Sequence, residues 1–144
     1  MAGNAAAHAF LHSGTGVTNH SMIDPSMIDL GTLGGTYSFG QSINASGQVA
    51  GYSYTSGSEI AFLYSAGSMI GLGTLGGGNS FGNGVNASGQ VTGSSAIANG
   101  DGHAFLYSSG KMTDLGLADQ TVRVSASTPA GRWWGTPMLE ETAV

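Results

Sequence analysis

At 144 residues and a net charge of −5, the chain has about one domain's length and a single modest core to bury. Its only basic residues are Lys111, Arg123 and Arg132, too few to neutralise a phosphate backbone or hold an anionic lipid surface, which argues against nucleic acid and against a basic membrane-binding face. With no cysteine there is neither disulfide nor thiolate metal site, no apolar run approaches the roughly 20 residues of a membrane-spanning helix, and 8% charged against 40% hydrophobic residues describes a folded chain with a Ser, Thr, Asn and Gly surface.

Residues 1–7 form a short leading segment that lacks the basic start and apolar stretch of a signal peptide, so the chain as written would stay inside the cell. From His8 the sequence repeats itself about every 42 residues, in units at about 8–54, 60–96 and 103–135, followed by a tail at 136–144. Residues 30–54 align without a gap on residues 72–96 at 17 of 25 positions, and residues 60–73 align on 103–116 at 9 of 14. In the first unit Phe10 and Leu30 lie 20 residues apart where the later units have 10, so residues 14–25 read as an inserted loop. The third unit is complete only in its opening hairpin. After Gly116 the expected Thr-Leu-Gly-Gly gives way to Leu117-Ala118-Asp119, yet TPAGRWWG at 128–135 falls 42 residues after NASGQVTG at 86–93, setting Gly131 on Gly89 and Gly135 on Gly93.

Within a unit, HAFLYS is a short apolar run ending at Ser-Gly or Ala-Gly, a hairpin signal, and KMTDLG or SMIGLG is its partner strand. A TLGG turn leads to SFGNGVN, and the Asn-Ala-Ser-Gly turn, whose glycine takes the positive φ a longer hairpin loop needs, leads to QVTGSS. Four strands per unit leave no stretch for a helix, since the runs are short and broken by glycine. The expected fold is all-β: tandem four-stranded antiparallel repeats resembling propeller blades, with three units making a partial or open propeller because closure takes roughly four to eight. A β-trefoil, also three four-stranded units, is the alternative.

The string HAFLYSSGKMTDLG at 103–116, joined to LGTLGG, SFG and INASGQVAGYS in the preceding units, resembles the bacterial extracellular HAF-repeat family, named for the His-Ala-Phe found here at 8–10 and 103–105. The resemblance covers roughly residues 8–116. It implies a secreted or cell-surface protein with propeller-like repeats and no enzymatic role for the repeat. The chain departs from the pattern at Ile60, where the histidine is replaced, and throughout 117–144.

Gly71, Gly73 and Gly76 match the G-x-G-x-x-G spacing of dinucleotide sites, but that motif needs a following helix to receive the pyrophosphate, and here it lies inside a repeated turn. Asn19, Asn44 and Asn86 each begin an Asn-x-Ser tripeptide, in the last two cases at the hairpin turn itself. His8 and His12 share a strand face and would need a third group to hold a metal, while Ile60 and Tyr64 at the equivalent positions point to packing. Neither Asn99-Gly100-Asp101-Gly102 nor the pair Asp24 and Asp29 supplies the six to eight oxygens that calcium takes. No nucleophile, acid or base stands in a catalytic arrangement, so no catalytic, cofactor-binding or metal-binding residue is assigned. The ligand-contact candidates are Trp133 and Trp134, one ring on each face of a strand, with Arg132 beside them. The expected function is a non-enzymatic, extracellular-type repeat module offering a binding or assembly surface. A carbohydrate-binding trefoil-like lectin and a piece of a larger exported enzyme or adhesin are the alternatives. Expected partners are a glycan or protein ligand and, through open strand edges, other copies of the chain.

Overall fold

The computed structural model describes residues 6–12 and 27–117. Their ten strands are β1 (Phe10–His12), β2 (Met27–Asp29), β3 (Ser38–Ile43), β4 (Val49–Tyr54), β5 (Glu59–Ser65), β6 (Ser68–Gly73), β7 (Gly76–Val85), β8 (Val91–Ile97), β9 (Gly102–Ser108) and β10 (Lys111–Leu117). No helix forms among the described residues, as the glycine-punctuated sequence requires. The loop expected at 14–25, the closing part of the third unit and the tail lie outside them.

The strands form two four-stranded antiparallel meanders, β3-β4-β5-β6 and β7-β8-β9-β10, preceded by the two-stranded β1-β2. Neither four-stranded sheet closes on itself, so the described residues hold no barrel of the kind a trefoil would need. Each four-stranded sheet also straddles two of the sequence units. The hairpin that opens a unit pairs with the last strand of the unit before it: Gly51 on β4 faces Phe62 on β5, and Gly93 on β8 faces Phe105 on β9. The repeat read from His-Ala-Phe is therefore half a sheet out of phase with the structural module, because a sequence period fixes the length of a unit and not where it starts. The β1-β2 pair is accordingly the outer half of a sheet, equivalent to β5-β6 and β9-β10.

Two cores lie between successive sheets. Alternation along β4 and β5 sends Val49, Phe62 and Tyr64 toward β1-β2, where they meet Ala9 and Leu30, and sends Ala50 and Leu63 the other way, onto Val85, Val91 and Phe105. The β-sheets approach closely where glycines meet: a Cβ on Gly82 would stand 2.7 Å from the Gly51 carbonyl oxygen.

Four side chains repeated in the sequence tie this stack together. Ser80 Oγ donates to the Gly73 carbonyl at 2.6 Å and accepts from the Ala61 N–H at 2.8 Å, and Ser38 does the same for Gly31 and Ala9 at 2.6 and 2.9 Å. Both serines are buried, and each joins the first strand of one sheet to the hairpin of the preceding one. Ser53 and Ser95 accept from the Leu33 and Leu75 N–H groups, fixing the TLGG turns. In the Asn-Ala-Ser-Gly turns, Asn44 Oδ1 accepts from the Ser46 and Gln48 N–H groups, Asn86 repeats this with Ser88 and Gln90, and Gly47 and Gly89 sit at φ 76° and 77° as the turn requires.

Candidate functional site

Columns of the repeat that match build the scaffold, so a site specific to this chain has to come from columns that differ. Three such columns carry an aromatic residue in the first sheet only: Tyr37, Tyr52 and Tyr54 align on Asn79, Ser94 and Ala96. In the fold these three converge with Phe39 on β3 and Phe81 on β7. Phe39 stacks on Tyr52 with ring centroids 5.1 Å apart, Tyr37 meets Tyr54 edge-on at 5.8 Å, and Phe81 from the next sheet meets Tyr52 edge-on at 5.0 Å. Such pairs contribute about 0.5–1.5 kcal/mol each beyond buried area, enough to hold the rings as a fixed platform. Phe39 keeps 39% of its surface in solvent, and the three tyrosines are half-buried.

Beside the platform lies an open pocket of about 400 Å³ lined by Tyr54, the 55–58 turn, Glu59 and Asn79. The turn is closed by Thr55, whose hydroxyl accepts from the Ser58 N–H at 3.0 Å. Asn79 Oδ1 accepts from the Glu59 N–H at 3.1 Å, tying the pocket's two sides across the sheets. The Glu59 carboxylate accepts a hydrogen bond from the Tyr54 hydroxyl, and that bond, followed by the carboxylate's charge, holds the phenol above its ordinary value of 10.0. Aromatic faces beside a carboxylate, an amide and hydroxyls suit a ligand with one apolar face and a hydroxylated rim. Sequence reading missed this cluster because it weighed motifs that repeat; the signal that finds it is aromatic residues confined to one copy.

The two described histidine positions at the head of a unit have a different role. His8 Nδ1 donates to the Asp29 carboxylate at 2.9 Å, and His103 Nδ1 to Asp114 at 2.8 Å. The same carboxylates accept from the Gly31 and Gly116 N–H groups at 2.8 and 2.7 Å, and these backbone bonds, with the histidine bonds second, pull both acids below 3.8. In the middle copy both partners change together: Ile60 replaces the histidine, Gly71 the aspartate, and the vacated space is shared by Ile60 and Leu33. The pair is a clasp on the hairpin. Among the described residues no three His, Cys, Asp or Glu side chains gather as a metal site would need.

The remaining sequence candidates resolve as turns. Gly73 and Gly76 have φ of 80° and 109° and lie in the β6–β7 turn with no helix after them. Asn99 Nδ2 donates to Asp101 Oδ2 at 2.9 Å, so these two side chains engage each other. Asn44 and Asn86 accept turn N–H groups on Oδ1, Asn44 also donates from Nδ2 to the next sheet at Asn86, and Asn86 is only 5% exposed. Trp133, Trp134 and Arg132, together with Asn19 and Asp24, lie outside the described residues. No helix among the described residues is long and apolar enough to cross a membrane. Comparison with protein-family models, with curated proteins and with solved structures returned no match.

Proposed function

We propose that this chain is a non-enzymatic β-repeat module that works by presenting a binding surface, with the aromatic platform on its first four-stranded sheet as the contact and a glycan as the ligand. The observation that carries this reading is the confinement of Tyr37, Tyr52 and Tyr54 to one copy of the repeat, where they add a rigid aromatic surface that the scaffold does not require. A pyranose ring offers an apolar face of C–H groups to stack on Phe39 and Tyr52, and its hydroxyls suit Glu59, Asn79 and the 55–58 turn. The sheets are read as propeller blades, and the resemblance of residues 8–116 to HAF repeats supports a place outside the cell or on its surface.

A glycan array followed by titration of the best-retained oligosaccharide tests the reading. Tyr52→Ala is expected to weaken binding at least about 10-fold, the loss of about 1.4 kcal/mol of stacking, with the far-ultraviolet spectrum unchanged. Trp133→Ala is the control for the other aromatic candidates. Retention of no glycan, or equal affinity in Tyr52→Ala, removes the proposal; a loss confined to Trp133→Ala moves the site to 132–134.

A further inference from the structure

The tyrosines that the first four-stranded sheet adds to the repeat come with a carboxylate. In the strand register Tyr54 on β4 faces Glu59 on β5, and the equivalent pair on β8 and β9 is Ala96 and Gly102. Both side chains of the pair are therefore present in one sheet and absent from the other, the same pattern that singles out Tyr37 and Tyr52. The second sheet forms the same strands without a carboxylate there, so the fold does not call for one. The connecting turns differ in chemistry as well. Residues 55–58 close on the Thr55 hydroxyl, whereas the turn at 98–101 is held by Asn99 and Asp101.

Charge at Glu59 is unbalanced. Four acids lie among the described residues: Asp29, Glu59, Asp101 and Asp114. Asp29 and Asp114 each hold a histidine, and Asp101 is engaged by the Asn99 amide in its own turn. Glu59 accepts from the Tyr54 phenol, a neutral donor, and among the described residues no cation reaches it. A carboxylate has about four acceptor positions, so one phenol leaves most of them for a ligand. The backbone beneath is fixed, since Asn79 Oδ1 accepts from the Glu59 N–H across the sheets. Lys111, the one Lys or Arg among the described residues, begins the outer strand of the other four-stranded sheet. The rings push the same way: aromatic faces carry partial negative charge, so Phe39, Tyr52 and Tyr54 attract a cation and repel an anion.

We propose that the glycan taken by this platform is an amino-sugar oligosaccharide with free ammonium groups, one ammonium seated on Glu59 beside Tyr54 while C–H faces of the chain lie on Phe39 and Tyr52. The inference rests on the glycan reading and adds a charge to it. An ammonium brings N–H donors to a carboxylate that already accepts from one hydroxyl, and it needs no counter-cation from the protein. A uronic acid or a sulfated sugar sets its anion against both Glu59 and the ring faces. An N-acetylated sugar keeps the stacking surface and loses the cation. A lysine side chain carries the same ammonium but has no pyranose face to stack, so it engages one half of the site.

Matched β-1,4-linked tetramers of glucosamine and N-acetylglucosamine, titrated calorimetrically into the full-length chain in a buffer that keeps the amines protonated, test the assignment. The glucosamine tetramer is expected to bind about 5-fold tighter, the upper range for an exposed ion pair. Glu59→Gln is expected to bring the two to equal affinity, and Tyr52→Ala to weaken both. Glu59 is half-buried and glutamine still accepts from Tyr54, so the far-ultraviolet spectrum is expected to stay unchanged. Asp101→Asn removes the same unit of charge from the other sheet and is expected to leave the preference intact, which separates Glu59 from the net charge of −5. Equal wild-type affinity for the two tetramers, a preference that survives Glu59→Gln, or displacement of the glucosamine tetramer by an equal concentration of tetralysine overturns the proposal. An array that retains only neutral or anionic glycans overturns it and leaves the glycan reading standing, whereas an array that retains none removes both.

Discussion

Ser80 on β7 donates to the Gly73 carbonyl and accepts from the Ala61 N–H, both on the hairpin of the preceding sheet, while fully enclosed, so no water can replace either bond. Ser80→Ala leaves the Ala61 N–H and the Gly73 carbonyl without their partner, and a buried unsatisfied group costs about 1–3 kcal/mol. The expected loss is about 3 kcal/mol, seen as a lower denaturation midpoint with an unchanged slope; a change under about 0.5 kcal/mol would show that the bond is not holding the sheets. The hairpin clasps make a second prediction. Asp29 and Asp114 are held below their ordinary value in the folded chain, so they add stability that is present above about pH 4 and is lost as pH falls through their lowered values. Asp114→Asn is expected to flatten the acid limb of the stability curve and to leave a normal one if the clasp contributes nothing. The serines and the turn asparagines could be located in the sequence because they recur at fixed spacing. Their bonds could not, since Ser80 and Ala61 are 19 residues apart and the period says nothing about what faces what.

Strand order and turn chemistry were legible for the same reason: HAFLYS, KMTDLG and QVTG are apolar runs closed by Gly-bearing turns, and they form the strands β9, β10 and β8. The boundary of the sheet was not. Nothing in HAFLYS distinguishes the strand before it from the strand after it, and the structure pairs it with both, β8 and β10. The two sheets approach closely where Gly82 lies on Gly51, and the two meanders are expected to unfold together while that approach is kept. A valine at 82 would bring its Cβ to 2.7 Å from the Gly51 carbonyl oxygen, with two further carbons beyond it. Gly82→Val should split a single calorimetric transition into two of smaller enthalpy, while the first sheet's tyrosine signal keeps its midpoint. A single sharp transition in the variant would mean the sheets communicate elsewhere.

At the scale of the whole chain, the ends of the stack differ from its interior in a patterned way. Leu30 and Leu72, each facing a following sheet, are 5% and 8% exposed, and Leu115 at the same position on the last sheet is 43% exposed. Phe10 and Leu115 thus mark the two faces at which the stack stops among the described residues. The aromatic platform sits between them, on the sheet flanked on both sides, where neighbouring sheets hold its rings still. A contact built there is rigid, and a rigid contact surrenders less entropy when a ligand arrives.

Asn44 donates from Nδ2 to the main-chain carbonyl of Asn86 at 2.9 Å, a bond between the same residue of two successive copies. A bond between like positions acts as a gauge: it sets the rise and rotation from one sheet to the next, and any further copy carrying the same asparagine would inherit the same step. Curvature in such an array is then written locally, once per turn, and is independent of how many copies follow. Lengthening the chain by whole units would extend the arc without bending it differently, whereas changing one asparagine would introduce a single corner.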